Sequence, residues 1–514
     1  MAADSEKNSF FNTEHLKADL KGRSIRGGAV TLCAQGIQLF LNMGSTIVLA
    51  RLLTPEDFGL IAMVTAVTGF VTMFKDMGLS MATVQRDEIN HAQISTLFWI
   101  NVLFSICIMA FTMLLAPFIA WFYNEPRLVL ITLTLSGAFI FSGLTVQHQA
   151  LLRRQMRFGS LALIQIFSLF VSIISAIIFA WYGMGYWALV IMYLVSAVVN
   201  AVCVWFVCSW YPGLPVRGSG VREMLKFGWN LTGFNLINYF ARNADNLLIG
   251  KYCGAVSLGL YSKAYSFLLL PLRQINSPVS AVAIPALSRL QNEPEKFKSY
   301  YRKGLTLVTM FSMPIVVFLF VVADRAILLV LGEQWTGAVT IFRVLGIAAF
   351  VGTTAGSGSG WIYIALGNTR RQFIVSIVTT STLVIGFIIG LYWGPIGVAA
   401  VFSIHTLVWR IPGAIICFWN TFLKLSDFWG AIWRPALASI MAGICLFVID
   451  KYFLTNMNLI VKFLSNIIEY CAFYFLCWML LPGGKNVIFN VIGMVNELKP
   501  GKTNPGISAE NESE

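Results

Sequence analysis

Runs of about 20 predominantly apolar residues follow one another along almost the whole chain, and short polar segments separate them. A run of this length spans the hydrocarbon core of a bilayer as an α-helix, in which the backbone polar groups are hydrogen-bonded within the segment. We predict fourteen such spans and hence an all-α, polytopic membrane protein. The predicted spans lie near residues 28–50, 58–80, 94–120, 128–148, 161–181, 186–208, 226–250, 258–287, 304–323, 336–364, 372–392, 396–419, 429–449 and 458–481.

The composition excludes the other common classes of protein. Of the 514 residues, 57% are apolar and 11% are charged, whereas about a quarter of the residues of a soluble domain are charged. A membrane β-barrel would show alternating segments of about ten residues. Residues 1–26 are polar and contain no cleavable apolar segment, so we expect no signal peptide. The nine cysteines include no Cys-x-x-Cys pair, so we expect no metal, cofactor or disulfide framework.

The formal net charge of +13 raises the question of a nucleic-acid partner. Most of the 36 Lys and Arg residues, however, fall in the polar segments that share a side of the membrane with the N-terminus. This asymmetry follows the positive-inside rule and predicts that both termini are cytoplasmic. Topology therefore explains the basic excess, and we predict no nucleic-acid partner because the basic stripe that such proteins carry is missing.

A repeat at an offset of 200 positions relates the two halves of the chain. An apolar helix that ends on Arg51 is followed by a turn and by Phe58-Gly59-Leu60, and the same order returns with Lys251 and Leu258-Gly259-Leu260. Polar residues within the first helix also have partners at this offset: Gln35 with Asn235, Gln38 with Asn238, Asn42 with Arg242, and Ser45 with Asp245. Their spacing places them on one helix face. Two homologous lobes that face a shared polar space are the plan of a transporter.

A second repeat supports the same organisation. Two uncharged extracytoplasmic turns, at residues 183–190 and 394–401, join the last two spans of each predicted lobe. The predicted domains are an N-terminal tail (1–26), an N-lobe (27–208), a cytoplasmic linker (209–225), a C-lobe (226–420), two further helices (429–481) and a C-terminal tail (482–514).

Ionisable residues inside the predicted spans are candidate functional residues, because each costs at least about 2.5 kcal/mol to insert without a partner or a wet cavity. Arg242 and Asp245 are three positions apart and can pair. Arg273 and Arg410 have no acid within a helical turn, and Arg343 lies nearer the outer side. One interpretation is a cationic cavity that binds a diphosphate through arginine forks. The alternative is a set of interhelical salt bridges or snorkelling side chains.

The predicted substrate-binding set combines these charges with the polar stripe: Arg242, Asp245, Arg273, Arg343, Arg410, Asn235, Asn238, Gln35, Gln38 and Asn42. Lys75 and Asp76 lie towards the cytoplasmic half of the second span and are either a gate or a snorkelled helix end. Lys462 and Glu469 share a face of the last span, where they either pair with the preceding helix or line a groove for a lipid tail.

Several motifs are distinctive of one family of transporters. They are Leu49-Ala-Arg-Leu-Leu-Thr-Pro-Glu-Asp-Phe-Gly-Leu60, Phe74-Lys-Asp-Met-Gly-Leu-Ser80, Val84-Gln-Arg86, residues 91–101, Gly259-Leu-Tyr-Ser-Lys-Ala-Tyr265 and Pro285-Ala-Leu-Ser-Arg-Leu290. With them the chain resembles the Wzx-type polysaccharide flippases of the multidrug/oligosaccharidyl-lipid/polysaccharide exporter superfamily, in the colanic-acid and teichuronic-acid exporter branch.

The resemblance implies a V of two lobes in the bacterial inner membrane. Such a protein flips an undecaprenyl-diphosphate-linked oligosaccharide to the periplasmic leaflet by alternating access, for exopolysaccharide, capsule or O-antigen synthesis. The implied partners are this lipid-linked oligosaccharide, membrane lipids, and a polysaccharide polymerase with its export machinery. The implied protein is not an enzyme.

Three alternatives stay open. A drug or cation antiporter of the same superfamily would need unpaired acids in its cavity, whereas the unpaired charges here are arginines. An integral-membrane polysaccharide polymerase or ligase would need a long extracytoplasmic loop, and the predicted loops are short. A lipid II flippase is compatible with the span pattern, and the quoted motifs favour the Wzx type over it.

The predicted topology can be tested by cysteine labelling. In a cysteine-free variant, single cysteines at Gly183 and Gly394 should react with an impermeant thiol reagent added outside the cell, whereas a cysteine at Asn292 should not. A permeant reagent provides the control because it should label all three. Labelling of Asn292 from outside would contradict the topology.

Overall fold

The computed structural model describes residues 20–72, 79–86, 89–216, 222–452 and 458–484. Helices joined by short turns make up this part of the chain, and it contains no β-strand. The α-helices are α1 Leu20–Leu52, α2 Pro55–Thr72, α3 Leu79–Gln85, α4 His91–Tyr123, α5 Arg127–Ser136, α6 Ala138–Arg154, α7 Phe158–Trp181, α8 Tyr186–Val207, α9 Arg222–Arg289, α10 Pro294–Val321, α11 Ala323–Val330, α12 Ala338–Ala348, α13 Thr354–Ala365, α14 Thr369–Gly390, α15 Gly394–Phe418, α16 Leu425–Tyr452 and α17 Leu459–Leu480. The predicted all-α class is confirmed.

The chain is a multi-pass membrane protein. Within the described ranges, ten helices are long and apolar enough to cross a membrane. Two predicted spans are each built from two helices: residues 128–148 fall in α5 and α6, and residues 336–364 fall in α12 and α13, which a π-helical turn at Ala349–Thr353 joins. The total of fourteen spans stays a prediction.

A single glycine divides the longest helix. Gly254 in α9 has φ 82° and ψ 178°, a backbone conformation outside the helical region. Because residues with a Cβ rarely adopt a positive φ, a glycine suits this position. The break falls between the predicted spans 226–250 and 258–287, as the sequence pattern predicted.

The helices pack into two compact units. Unit 1 comprises residues 1–264, 330–341 and 382–401, and unit 2 comprises residues 265–329, 342–381 and 402–514. The lobe boundaries predicted from the repeat stay a prediction. In unit 1, α4, α6, α7 and α8 share a buried core around Phe98, Leu151 and Trp210. In unit 2, one core surrounds Tyr301 and Trp361, and a second lies where α10, α16 and α17 meet.

Large apolar side chains are also exposed on the outer faces of the helices, as expected of helices that face lipid rather than water. Trp181 on α7, Phe206 on α8 and Leu480 on α17 are each at least three-quarters exposed. In a water-soluble monomer an apolar surface of this extent would promote aggregation. These faces are consistent with a bilayer as the solvent.

The turn between α1 and α2 is held by hydrogen bonds and aromatic contacts within unit 1. The backbone N–H and the hydroxyl of Thr54 donate to the carboxylate of Asp57 at 2.9 and 2.8 Å, which closes the first turn of α2. Phe58 packs edge-on against Trp335, with 5.5 Å between ring centroids. The ammonium of Lys263 lies 3.9 Å from the centroid of the Phe58 ring. The turn is therefore bound to residues more than 200 positions away.

Gly59 and Gly259 let α2 and α9 touch through their backbones. A methyl group on Gly59 would overlap the carbonyl oxygen of Ala255, and one on Gly259 would overlap the carbonyl oxygen of Pro55. Pro55 and Ala255 differ by 200 positions, as the two glycines do. The contact therefore maps onto itself when the two segments are exchanged, which is expected of repeats related by a local twofold axis.

Substituting either glycine should destabilise the protein. We expect Gly59→Ala or Gly259→Ala to cost at least about 1–3 kcal/mol, because an added methyl group meets backbone atoms that cannot rotate away. The melting temperature of the detergent-solubilised protein and its abundance in the membrane should both fall. Gly36→Ala in α1 is the matched control, because a methyl group there meets nothing within 4 Å. Equal melting temperatures for Gly59→Ala and the control would contradict the close contact.

Candidate functional site

Arg410 is a half-buried cation in α15, and its charge is balanced by no acid among the described residues. Its Nη2 donates to the hydroxyl oxygen of Ser359 at 3.0 Å, and its guanidinium carbon lies 5.3 Å from the ring centroid of Phe428. Gly356 leaves room for the guanidinium, since a methyl group at that position would lie 3.1 Å from Nη1. The Nε of Arg410 makes no hydrogen bond within the described part of the chain. The hydrogen-bonding capacity of the guanidinium is therefore only partly used.

The aromatic cluster beside Arg410 contains a second unsatisfied polar group. Tyr301 of α10 is fully buried, and its hydroxyl has no hydrogen-bond partner within the described ranges. Its ring packs edge-on against Phe418, which in turn packs against Phe428. Buried hydroxyls are seldom left unpaired.

Arg273 and Arg343 have different surroundings. Arg273, in α9 between two prolines, is exposed, and no carboxylate of the described chain pairs with it. Arg343, in α12, forms an ion pair with Asp324 of α11 and also donates to the backbone carbonyl of Phe320 at 3.5 Å. Of the predicted cavity arginines whose side chains the structure describes, Arg343 is therefore the one whose charge is already balanced.

Asp245 is a buried carboxylate in α9 whose two oxygens are hydrogen-bonded. The hydroxyl of Tyr261 donates to Oδ2 at 2.9 Å, and the backbone N–H of Asn246 donates to Oδ1 at 2.8 Å. Tyr261 itself is fully buried. The bond from Tyr261 ties the two parts of α9 together across the break at Gly254. The side chain of Arg242, the partner predicted for Asp245, lies outside what the structure describes.

The polar stripe of α1 is only partly engaged. Gln38 donates to the amide oxygen of Gln165 in α7 at 3.1 Å. Asn42 is exposed and donates to the backbone carbonyl of Gln38 at 2.8 Å, and Gln35 is exposed. The side chains of Asn235 and Asn238, which the repeat pairs with Gln35 and Gln38, lie outside the described residues, as do Lys75 and Asp76.

Unit 1 contains a polar cavity that the sequence interpretation missed. It has a volume of about 520 Å³ and lies between α6 and α8. Gln149 donates to the amide oxygen of Asn200 at 2.9 Å, and Arg153 has no ion pair with any described acid. Ser142 and Ser196 add hydroxyl groups to the wall. The sequence contains a pattern that could have predicted this wall. Gln149 and Arg153 are four positions apart and share a helix face, and so do Ser196 and Asn200.

The charges of the last helix are joined to the preceding one. The ammonium of Lys462 in α17 lies 3.2 Å from Oδ1 of Asp450 in α16, and Arg325 of α11 pairs with the same carboxylate. This agrees with the interpretation that Lys462 pairs with the preceding helix. The Oε2 of Glu469 is buried and makes no hydrogen bond to the described residues.

One ionisable group of interest lies outside the membrane-spanning helices. Glu125, in the turn between α4 and α5, has a pKa below its usual range because the Arg127 side chain donates a hydrogen bond to it. The same guanidinium pairs with Glu56 at the start of α2. This network holds the turn against α2.

Comparison with known proteins decides which family these features belong to. A family model described as "Polysaccharide biosynthesis protein" matches residues 48–340. The chain belongs to this family. The match begins at residue 48, directly before the distinctive motif at residues 49–60, and ends at residue 340 in the first turn of α12, so the resemblance proposed from the sequence is confirmed.

Two relatives of this polysaccharide biosynthesis protein are similar over most of their length. The teichuronic acid biosynthesis protein TuaB of Bacillus subtilis (strain 168) is 28% identical over 389 residues, which cover 74% of this chain and 79% of TuaB. The lipopolysaccharide biosynthesis protein WzxC of Escherichia coli (strain K12) is 25% identical over 427 residues, which cover 82% of this chain and 85% of WzxC.

Solved structures show the fold of this polysaccharide biosynthesis protein. The lipid II flippase MurJ, in an inward closed conformation, aligns with a TM-score of 0.70 at 16% identity over 88% of this chain and 98% of MurJ. An inward-facing multidrug resistance MATE family transporter of the MOP superfamily aligns with a TM-score of 0.57 at 15% identity, over 74% and 94% of the two chains. The fold is therefore that of the MurJ and MATE transporters.

Removing the hydroxyl of Tyr261 should test the structural role of Asp245. We expect Tyr261→Phe to destabilise the protein by about 1–3 kcal/mol, because a buried carboxylate loses one of its donors. The melting temperature of the purified protein measures the effect. Tyr252→Phe is the control, because Tyr252 is 69% exposed and lies in the same helix. If the two variants melt at the same temperature, the bond contributes nothing to stability.

Proposed function

We propose that this polysaccharide biosynthesis protein is a flippase for an undecaprenyl-diphosphate-linked oligosaccharide repeat unit. Three findings support the proposal: the family match, the similarity to proteins of teichuronic acid and lipopolysaccharide biosynthesis, and the MurJ-like fold. The diphosphate and sugars enter a polar space in the protein while the lipid tail stays in the bilayer. Alternating access then exposes the polar space to the periplasm.

Arg410 is the residue whose surroundings best support diphosphate binding. A guanidinium in a membrane-spanning helix is costly unless something balances its charge, and among the described residues no carboxylate does so. A diphosphate is dianionic or more and matches the fork of donors on a guanidinium. Arg273 also has no described ion pair and is the second candidate, whereas Asp324 already balances the charge of Arg343. The lone arginines favour an anionic substrate over the cations that drug antiporters export.

The cavity of unit 1 suits the sugar part of the substrate. Its amide and hydroxyl groups on Gln149, Asn200, Ser142 and Ser196 can both donate and accept hydrogen bonds. Hydroxyls of a sugar present the same mixture of donors and acceptors. Considered by itself, this wall is a candidate for contacts to sugar hydroxyls, and an anionic sugar would match Arg153.

The proposed cellular setting follows from the charge asymmetry. With both termini cytoplasmic, the protein lies in the bacterial inner membrane and receives its substrate from the cytoplasmic leaflet. Movement of the repeat unit requires no bond to form or break, so the protein acts without catalysing a reaction. A polysaccharide polymerase and its export machinery are the downstream partners.

Substitution of the two arginines tests the proposal. We expect Arg410→Ala and Arg273→Ala to abolish transport and the Arg→Lys variants to reduce it on the order of tenfold, because lysine keeps the charge and loses the bidentate fork. Cell-surface polysaccharide is measured against the membrane abundance of each variant. Arg289→Ala removes an exposed arginine at the end of α9 and is the matched control.

The outcomes separate function from folding. Normal abundance with lost polysaccharide supports substrate binding by the arginine. Unchanged polysaccharide at normal abundance for both Arg→Ala variants would contradict it. A collapse of abundance together with polysaccharide would identify the arginines as bridges that hold the helices together.

A further inference from the structure

A basic cavity lies within unit 2, and Arg410 is not among its lining residues. Its volume is about 610 Å³, and it opens between the first turns of α10 and α16, beside Trp478 of α17. Four cations line it, and they are Lys298, Arg302, Lys303 and Arg434. Glu295 is the acid among its lining residues.

Two of the four cations are already neutralised by nearby acids. Lys298 pairs with Glu295 at 2.7 Å, and Arg302 pairs with the buried carboxylate of Asp427. The second oxygen of Asp427 accepts a hydrogen bond from the backbone N–H of Lys424 at 2.8 Å, so this acid is fully engaged. These two ion pairs hold the wall of the cavity in place. The positive charge that remains in the cavity comes from the other two cations, Lys303 and Arg434.

Lys303 and Arg434 have no carboxylate partner among the described residues. The Nε of Arg434 donates to the backbone carbonyl of Pro482 at 2.9 Å, and its guanidinium lies 4.8 Å from the ring centroid of Trp433. These contacts orient Arg434 without balancing its charge. The cavity thus presents two positive charges, together with the hydroxyls of Ser299, Thr306 and Ser426, to a ligand.

The surroundings of the cavity favour the headgroup of an anionic membrane lipid over a soluble anion. The N-terminal ends of α10 and α16, each 28 residues long, lie at the cavity and add the positive end of the helix dipole. The indoles of Trp433 and Trp478 line it, and tryptophan favours the boundary between headgroups and acyl chains. By the positive-inside rule this end of the helices faces the cytoplasm, where the leaflet carries anionic lipids.

A separate apolar groove lies between α10 and α17, one helical turn beyond the cavity along each helix. It has a volume of about 630 Å³ and is lined by Met310, Phe311, Pro314, Ile315 and Phe318 of α10 and by Ile467, Tyr470, Cys471, Tyr474 and Phe475 of α17. Thr306 of the cavity is four positions from Met310, and Trp478 is four positions from Tyr474, with 6.3 Å between the last two rings. A molecule with an anionic head and an apolar chain fits the two spaces together.

We propose that the cavity and groove form a site for an anionic phospholipid. The phosphodiester headgroup lies between Lys303 and Arg434, and an acyl chain lies in the groove between α10 and α17. This lipid is a structural ligand of unit 2 and is distinct from the transported substrate, whose diphosphate is assigned to Arg410 and Arg273.

Native mass spectrometry of the full-length protein in an uncharged detergent tests the proposal. Phosphatidylglycerol, phosphatidylcholine and undecaprenyl phosphate are titrated separately and in competition. The variant Lys303→Gln/Arg434→Gln should bind phosphatidylglycerol roughly ten- to thirtyfold more weakly, and Lys303→Arg/Arg434→Lys should bind it as the parent protein does. The control Arg289→Gln/Lys296→Gln loses the same charge from exposed positions outside the cavity and should bind normally.

A second pair of variants tests the groove. Cys471→Trp should fill it and weaken phosphatidylglycerol binding, whereas Cys107→Trp, at another exposed cysteine of a membrane-spanning helix, should not. The melting temperature of each variant is first measured without added lipid. Affinities are compared only for variants that melt at the same temperature as the parent protein. Equal affinity of the Gln variant and its control, or equal affinity for phosphatidylcholine, would overturn the proposal. Displacement of phosphatidylglycerol by a lower concentration of undecaprenyl phosphate would also overturn it, because the site would then belong to the substrate lipid.

Discussion

The backbone contact between α2 and α9 exists only because Gly59 and Gly259 have no side chains, and the surrounding structure depends on it. It fixes α2 against the part of α9 that follows Gly254 and carries Tyr261, and it places the Phe58 ring beside Trp335 and Lys263. Exchange of the two segments reproduces the contact, so each repeat supplies the surface that the other needs. This explains why the motif at residues 49–60 is so distinctive: the cap, the aromatic ring and the glycine each have a defined partner.

The arginines of unit 2 differ in whether an acidic side chain balances their charge. Arg302, Arg325 and Arg343 each pair with an aspartate, and such pairs contribute order at little net gain in free energy. Arg410 lies within a membrane-spanning helix and has no such acid in the described chain. An uncompensated cation persists when something outside the chain balances it. Whether an arginine has an acidic partner therefore says more about ligand binding than its presence in a membrane-spanning helix.

Much of the fold could be predicted from the sequence, since the apolar period and the breaks at glycine are local properties of the chain. The partner of Arg343 could not be predicted, because Asp324 meets it across two helices whose rotation is set by packing. The wall formed by Gln149 and Asn200 was missed for a related reason: each residue alone looks like an isolated polar group in an apolar helix. Considering i and i+4 pairs in every span would have found Gln149 with Arg153 and Ser196 with Asn200. The offset repeat directed attention to α1 and α9 instead.

The two places proposed to bind anions differ in how the charges of their side chains are balanced, and this difference bears on their proposed roles. At the basic cavity, Glu295 and Asp427 neutralise half of the lining cations, and Arg434 is held by a carbonyl and a ring. These contacts hold the wall of the cavity in place, as suits a lipid that stays bound. At Arg410, a hydroxyl and a ring are the observed contacts, so an anion that arrives or leaves changes the local charge balance greatly. A transport cycle needs that sensitivity, because substrate binding can shift an equilibrium only through interactions that differ between its states.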